Sequence, residues 1–198
     1  MTLGTLTTAA RRLNARHPAR GLLPPLALLT DRTRLPDPVA AAGRLPRGSL
    51  IILRDGDLAA AERLVLARTL AAVARRRGLR LLVSGDLGLA RRVGAAGVHW
   101  PERQLPARVR GFATAAAHSL AALHRARRAG VAAAFLSPVL PTLSHPGAPC
   151  LGVVRFAGLA RQAGLPVYAL GGIDARTAQR LYGSGAAGIG AIGAFGSL

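Results

Sequence analysis

Lysine is absent from this 198-residue sequence, so all 27 basic residues are arginine, and only eight residues are acidic. The formal net charge is therefore +19, while aromatic residues make up only 4% of the chain. Such a charge raises the question of a nucleic-acid partner, but no aromatic platform and no nucleic-acid-binding motif accompanies the arginines. We therefore expect no nucleic-acid partner. We expect the arginines to coat the helices and some of them to attract anionic, phosphorylated substrates.

Cysteine occurs once, as Cys150, which excludes a disulfide framework and a Cys-x-x-Cys metal site. This usage is typical of a reducing compartment, so we expect a cytoplasmic protein. No apolar run approaches the roughly 20 residues that a membrane helix needs. Residues 1–20 also lack the apolar core of a secretory signal. We therefore expect no membrane association.

Eight short apolar runs alternate with helical patterns along the chain. They lie at residues 26–30, 50–53, 81–83, 97–99, 112–115, 131–136, 166–170 and 188–192. This alternation is typical of βαβ units and a parallel sheet. We predict an α/β protein with the (β/α)8 TIM-barrel fold, compact and made of a single domain over residues 1–198. A doubly wound open sheet is the alternative, although no G-x-G-x-x-G motif follows the first run.

The two ends of the chain are expected to complete one another. Apolar residues at helical spacing predict that residues 1–20 form an N-terminal helical extension. Asp174 predicts the cap of a helix that reaches about Tyr182. Too few residues follow the eighth run for another complete helix, so we expect a truncated last helix. Either the N-terminal helix takes its place, or a partner subunit does in a homo-oligomer.

Polar residues and glycines recur where the predicted strands end. In a barrel, the carboxyl ends of the strands form one face, and that face carries the active site. The polar residues and glycines at the strand ends therefore predict an active site on this face. Its members are Asp31, Arg54, Asp86, His99, His118, His145 and the pair Gly171-Gly172.

A segment rich in Pro, Gly, Ser and Thr, residues 137–152, follows the sixth run. Loops of this length in an α/β chain usually carry function. The hydroxyls of Thr142 and Ser144, with the imidazole of His145, suit a phosphate oxygen. Glycine-rich turns follow the seventh run, at Gly171-Gly172, and the eighth, at Gly193-Ala194. Main-chain N–H groups at such turns can point at an anion, so we predict a phosphate site there, with close helix–strand packing as the alternative explanation.

Several segments, in order and spacing, make the chain resemble the thiamine phosphate synthase / TenI family of TIM barrels. They are LALLTD at 26–31, ILRDGD at 52–57, GVHW at 97–100, AHS at 117–119, SPVLPTLSHPGAPCLG at 137–152, LPVYALGGI at 165–173 and GAAGIGAIGAF at 185–195. The resemblance implies a synthase that joins hydroxymethylpyrimidine diphosphate to thiazole phosphate and releases diphosphate, with Mg²⁺ present. The reaction passes through a pyrimidine carbocation, so positioning and stabilisation of the diphosphate matter most.

The resemblance also implies roles for individual residues. The turns Gly171-Gly172 and Gly193-Ala194 would hold the thiazole phosphate, a small phosphorylated substrate. Thr142 and Ser144 would lie between the two phosphate groups. Arg54 would bind the diphosphate, and His145 would replace a family lysine as a diphosphate contact when protonated. The catalytic candidates are Arg54, His118 and His145.

The sequence departs from the family mainly on the pyrimidine-diphosphate side. The family has Gln and Lys beside the arginine at the end of strand two, and this chain lacks both. The usual Mg²⁺ carboxylates are replaced by Gly85 and Gln104. Asp86 and Glu102 lie one and two positions away and are the candidates for a shifted metal site.

These losses leave an alternative function open. The chain would then be a TenI-like thiazole-phosphate-binding protein, tautomerase-like or non-catalytic and regulatory, without synthase activity. The histidine that the TenI-type tautomerase uses is Pro138 here. His118 or His145 would have to substitute for it.

Overall fold

The computed structural model describes residues 2–142, 147 and 149–195. Its eight parallel strands form a closed barrel in the order of the sequence. This confirms the predicted (β/α)8 fold, and each strand overlaps one of the eight apolar runs. The strands are β1 (Leu26–Leu29), β2 (Leu50–Leu53), β3 (Arg80–Ser84), β4 (Gly97–Trp100), β5 (Ala113–Ala117), β6 (Ala133–Leu136), β7 (Val167–Ala169) and β8 (Gly188–Ala191).

Helices cover the outside of the barrel. The α-helices of the described residues are α1 (Leu3–Ala15), α2 (Pro38–Arg44), α3 (Ala60–Arg77), α4 (Leu87–Arg92), α5 (Leu120–Ala129) and α6 (Gly152–Gln162). Three short 3₁₀ helices lie at Glu102–Gln104, Ala178–Leu181 and Gly193–Phe195. No helix in the part of the chain that the structure describes has the length and apolarity needed to cross a membrane.

Local sequence explains where several helices begin and end. The Asp37 carboxylate accepts a hydrogen bond of 2.8 Å from the amide of Ala40 and so caps α2, which begins at a proline. The Ser119 hydroxyl caps α5 in the same way. Gly78 and Gly130 end α3 and α5 with φ angles of 63° and 80°, a left-handed conformation that glycine adopts without strain. Local sequence therefore sets the start of α2, the end of α3 and both ends of α5.

The barrel interior is filled by two large aromatic rings opposite glycines of β8. Phe135 and Tyr168 stack with their ring centroids 4.5 Å apart. A Cβ atom at Gly188 would lie 2.6 Å from Tyr168 Cε1, and one at Gly190 would lie 3.0 Å from Phe135 Cε1. Glycine is therefore needed in β8 because the rings occupy the space that its side chains would take.

Helix α1 lies beside β8, after which the described residues form only the 3₁₀ helix Gly193–Phe195. It packs against β1, β8 and the 3₁₀ helix Ala178–Leu181. The buried Asn14 side chain donates a hydrogen bond of 2.8 Å to the carbonyl of Ala187, just before β8. Of the two expectations for this place, the structure supports the N-terminal helix.

The predicted helix from Asp174 to about Tyr182 is wrong in type. The chain forms only the 3₁₀ helix Ala178–Leu181 there. Asp174 does accept the amide of Thr177 at 2.8 Å, as a cap would, but the Thr177 hydroxyl donates back to the carbonyl of Gly172 at 3.0 Å. This local hydrogen bonding competes with an α-helical start, and Gly183 with φ of 80° ends the segment soon after.

Candidate phosphate-binding site at the barrel mouth

One cavity opens at the carboxyl ends of β7 and β8 and has a volume of about 670 Å³. Its walls include Gly171 and Gly172 after β7, Gly193 and Ala194 after β8, and Thr142 after β6. All five were predicted to bind phosphate, and the fold brings them to one place. A cavity of this volume accommodates a small organic ligand.

The main-chain amides of the two turns are the candidate anion donors. In the described part of the chain, no residue accepts a hydrogen bond from the amides of Gly171, Gly172, Gly193 or Ala194. Polar N–H groups without a protein partner must be satisfied by solvent or by a ligand. Because both turns line the cavity, an anion inside it is a candidate acceptor for these hydrogen bonds.

The Gly171-Gly172 turn has a second role, which is to receive the chain that follows β6. The amides of Val139 and Leu140 donate to the carbonyls of Leu170 and Gly171 at 2.9 and 3.1 Å. A Cβ atom at Gly172 would lie 2.3 Å from the carbonyl oxygen of Pro141, and the φ angle there is 67°. Close packing, the alternative explanation for this turn, therefore applies to Gly172.

Two arginines that were not predicted from the sequence, Arg176 and Arg34, line the cavity. Arg176 is exposed, and its main-chain amide donates a hydrogen bond of 2.8 Å to the Asp174 carboxylate. Arg34 bonds the Asp31 carboxylate through Nη2 at 2.5 Å. This hydrogen bond is the main reason why the pKa of Asp31 is lowered. The cavity therefore joins main-chain donors to two guanidinium groups, which suits a phosphate ester.

Arg54, predicted to bind diphosphate, follows β2 and lies outside the walls of this cavity. Its Nη2 donates to Asp31 Oδ2 at 2.8 Å, so Arg54 and Arg34 share one carboxylate. The Arg54 side chain is 39% exposed. A guanidinium in this setting can exchange its carboxylate partner for an incoming phosphate group.

His99 lies buried near the end of β4. Its Nδ1 is 2.8 Å from Thr114 Oγ1, and its ring meets Phe135 edge-on with centroids 5.4 Å apart. Burial, with a smaller effect of the Arg54 charge, lowers the pKa of His99 to about 3. His99 is therefore neutral near pH 7 and cannot act there as an imidazolium acid.

Asp86, a candidate metal ligand, is occupied by the protein. Its Oδ1 accepts the amide of Leu89 at 2.8 Å and caps α4. Its Oδ2 lies 3.3 Å from Nη1 of Arg63, and Arg63 Nη2 also donates to the carbonyl of Ser84 at 2.6 Å. A guanidinium therefore stands beside this carboxylate.

Glu102, the other candidate metal ligand, and His118, a catalytic candidate, bind each other. Glu102 Oε2 lies 2.8 Å from His118 Nδ1, and Oε1 accepts from Arg125 at 2.8 Å. Burial acts to raise the pKa of Glu102, but the hydrogen bonds from His118 and Arg125 outweigh it and leave the pKa lowered. The His118 side chain is 57% exposed and does not line the cavity.

The residues present do not fit the Mg²⁺ that the family resemblance implies. Gly85 and Gln104 stand at the positions of the usual carboxylates, and the fold does bring them together. A Cβ atom at Gly85 would lie 2.5 Å from Gln104 Oε1. The described residues contain no group of three or more His, Cys, Asp or Glu side chains that could hold a metal ion. Asp86 and Glu102 each bind a guanidinium instead, whereas Mg²⁺ requires several oxygen ligands in near-octahedral geometry.

Two of the predicted site residues lie outside the described part of the chain, and one buried carboxylate was not predicted. Ser144 and His145 lie outside the described residues. Asp55, which the sequence analysis did not select, is buried, and its carboxylate accepts hydrogen bonds from the Thr30 hydroxyl and, at 2.9 Å, from the amide of Arg32. This carboxylate ties the connection after β1 to the one after β2. No periodic signal distinguishes such a carboxylate in the sequence from an exposed loop residue.

Comparisons with known proteins agree with the resemblance noted in the sequence. A thiamine-phosphate synthase of Roseiflexus sp. (strain RS-1) is 32% identical over 181 residues, covering 84% of this chain and 76% of that protein. A thiamine-phosphate synthase of Bacillus velezensis is 28% identical over 171 residues, covering 80% and 76%. The solved structure of thiamine phosphate pyrophosphorylase from Pyrococcus furiosus matches with a TM-score of 0.69 and 22% identity over 84% of each chain, which shows a shared fold. The family model described as thiamine monophosphate synthase matches residues 28–195, and the chain therefore belongs to that family.

Proposed function

We propose that this protein joins hydroxymethylpyrimidine diphosphate to thiazole phosphate. A bond forms between the methylene carbon of the pyrimidine and the thiazole nitrogen. The bond from that carbon to the diphosphate oxygen breaks, and its electron pair leaves with the diphosphate. The products are thiamine phosphate and diphosphate. Family membership over residues 28–195 supports this reaction class.

The observation that carries the proposal is the pair of glycine-rich turns around one cavity. Gly171, Gly172, Gly193 and Ala194 line it, and their four amides have no acceptor among the described residues. We assign these amides to the phosphate of the thiazole substrate. Arg176 adds a positive charge at the same wall. A phosphate held in this way orients the rest of the substrate for reaction.

On the pyrimidine side, the chain offers guanidinium groups rather than carboxylates. We assign Arg54 to the diphosphate, with Asp31 as the carboxylate that holds the guanidinium in place before the substrate binds. A fixed cation stabilises the charge that develops on the departing diphosphate. No step is assigned to Mg²⁺, because the residues at the family's metal position do not fit it.

The test is a direct synthesis assay. Both substrates are supplied with and without Mg²⁺, and thiamine phosphate is measured by chromatography. In a parallel reaction, the unphosphorylated thiazole alcohol replaces the thiazole phosphate. The proposal expects thiamine phosphate from the phosphorylated substrate and a large loss of kcat/KM with the alcohol. The phosphate cradle, which we define as the turns Gly171-Gly172 and Gly193-Ala194, then has no anion to bind. Equal rates with the two thiazoles would contradict the assigned cradle.

A second function is favoured by the altered metal position. Gln104 covers Gly85, and Asp86 and Glu102 bind arginines, so the diphosphate side differs from the family pattern, whereas the glycine-rich turns assigned to the thiazole phosphate line the cavity. The protein would then bind a thiazole phosphate or a similar small phosphate ester without making thiamine phosphate. Calorimetric binding of thiazole phosphate together with no thiamine phosphate under any metal condition would select this second function.

A further inference from the structure

The end of the barrel opposite the cavity carries exposed arginines around its whole circumference. We call this surface the basic face, and we define it by one exposed arginine before each of the strands β1 to β8 in turn. These arginines are Arg20, Arg47, Arg76, Arg92, Arg110, Arg128, Arg161 and Arg180. Further exposed arginines, such as Arg75 beside Arg76, add to it. Positive charge is therefore present in all eight connections that reach this end.

All eight acidic side chains of the chain lie toward the opposite end. Each one follows a strand or stands in the first turn of a helix, and both positions are at the cavity face. They are Asp31, Asp37, Asp55, Asp57, Glu62, Asp86, Glu102 and Asp174. Every salt bridge between described residues is made there as well. The arginines of the basic face consequently have no carboxylate partner among the described residues.

Helix dipoles account for only part of this arrangement. The helices run toward the basic face, and each carboxyl end carries about half a negative charge that a nearby cation complements. One arginine per helix would satisfy this effect, but α3 alone ends with Arg75, Arg76 and Arg77, and α4 and α5 each end with two. Unpaired like charges repel one another and destabilise the compact state. A surface of this kind is stabilised when an anionic partner covers it.

The shape of the basic face and one apolar side chain indicate the kind of partner. A flat anionic surface can contact all eight connections together, whereas a nucleic-acid duplex is a narrow rod and covers only part of a barrel end. Leu22 is 71% exposed next to this face, and its carbonyl accepts a hydrogen bond from Arg80. The nearby aromatic rings of Phe112 and Tyr182 lie under arginines and offer no open stacking surface for bases. We infer, contrary to the expectation from the sequence of no membrane association, that the basic face docks on the anionic phospholipid headgroups of a bilayer surface, with Leu22 entering the interface.

The test measures binding to vesicles at physiological ionic strength. Vesicles of phosphatidylcholine with phosphatidylglycerol should sediment the protein, and vesicles of phosphatidylcholine alone should not. Because each arginine near an anionic surface contributes about fivefold, Arg75→Gln/Arg76→Gln should weaken binding about 25-fold. The matched control Arg103→Gln/Arg155→Gln removes two exposed arginines from outside the basic face and should leave binding unchanged.

Further measurements separate a membrane from a nucleic acid. Leu22→Ser should weaken vesicle binding about tenfold, since an apolar side chain no longer enters the bilayer, and should leave DNA binding unchanged. Equal binding to the two kinds of vesicle, or equal losses in the two double variants, would overturn the inference. Tighter binding to duplex DNA than to the anionic vesicles, with no effect of Leu22→Ser on either, would assign the face to nucleic acid instead. Circular dichroism of each variant checks that the barrel is intact.

Discussion

A carboxylate placed at position 193 should repel the phosphate of the thiazole substrate. Gly193 lines the cavity, and a Cβ atom there would have no heavy atom within 4 Å. A side chain therefore fits without displacing the backbone. Gly172 cannot serve for this purpose, because a Cβ atom there would lie 2.3 Å from the carbonyl oxygen of Pro141.

The size of the effect follows from Coulomb's law. Two unit charges about 5 Å apart repel by about 1 to 3 kcal/mol between the dielectric limits of water and a protein surface. Gly193 is exposed, so the lower part of this range applies. Gly193→Asp should therefore weaken thiazole phosphate binding by about 5-fold to 30-fold. Because the interaction is screened, the loss should shrink as salt is raised.

The matched control is Gly193→Asn, which has the shape of aspartate without its charge. Isothermal titration calorimetry with thiazole phosphate gives the Kd of both variants and of the unchanged protein. The charge effect is the ratio of the Asp and Asn dissociation constants, so any effect of side-chain size cancels. If the two variants bind thiazole phosphate equally at low salt, the phosphate does not occupy this turn and the assigned site is wrong.

Three further predictions concern stability, metal dependence and pH. Asn14→Ala should lower the free energy of unfolding by about 1 to 3 kcal/mol in urea, since it leaves the buried Ala187 carbonyl without its donor, whereas the exposed Thr8→Ala on the same helix should change it little. Removal of Mg²⁺ with EDTA should leave the Kd for thiazole phosphate unchanged, and a tenfold change would show that a metal joins the cradle. The pKa of Glu102 is lower in the folded than in the unfolded state, so its carboxylate stabilises the folded state above the unfolded-state pKa of about 4.3. This stabilisation is lost as the pH falls through the pKa of Glu102 in the folded state. Urea unfolding at pH 7 and pH 3 should therefore show a smaller loss of stability for Glu102→Gln than for the unchanged protein, and equal losses would contradict this sign.

Much of the fold could be predicted because burial leaves a periodic trace in the sequence. Strands such as β1 and β2 are buried on both faces and appear as unbroken apolar runs. The α-helix predicted after Asp174 is wrong, because a capping residue predicts the start of a helix but not its length. The hydrogen bonds of Thr177 that shorten it involve Gly172, five residues away, and have no periodic signature.

The candidate site was predictable only where glycine or family resemblance marks it. Glycine-rich turns stand out in the sequence, so Gly171 and Gly193 could be predicted as site residues from the sequence alone. Arg176 was not, because one exposed arginine among 27 carries no distinguishing pattern. The pairing of Asp86 with Arg63 was equally hidden, since Arg63 lies in α3, Asp86 precedes α4, and the two meet only in the folded chain.

Order along the chain and the types of residue were enough to predict the barrel, its family and the glycine-rich turns proposed to bind phosphate, since these depend on local periodicity and on short motifs. The closed barrel decides which side chains meet and which charges neutralise one another. It brings Gln104 over Gly85, joins Arg54 to Arg34 through Asp31, and separates the acidic end from the basic face. Such pairings depend on distances in space between residues far apart in the chain, and electrostatic energy follows those distances rather than sequence separation.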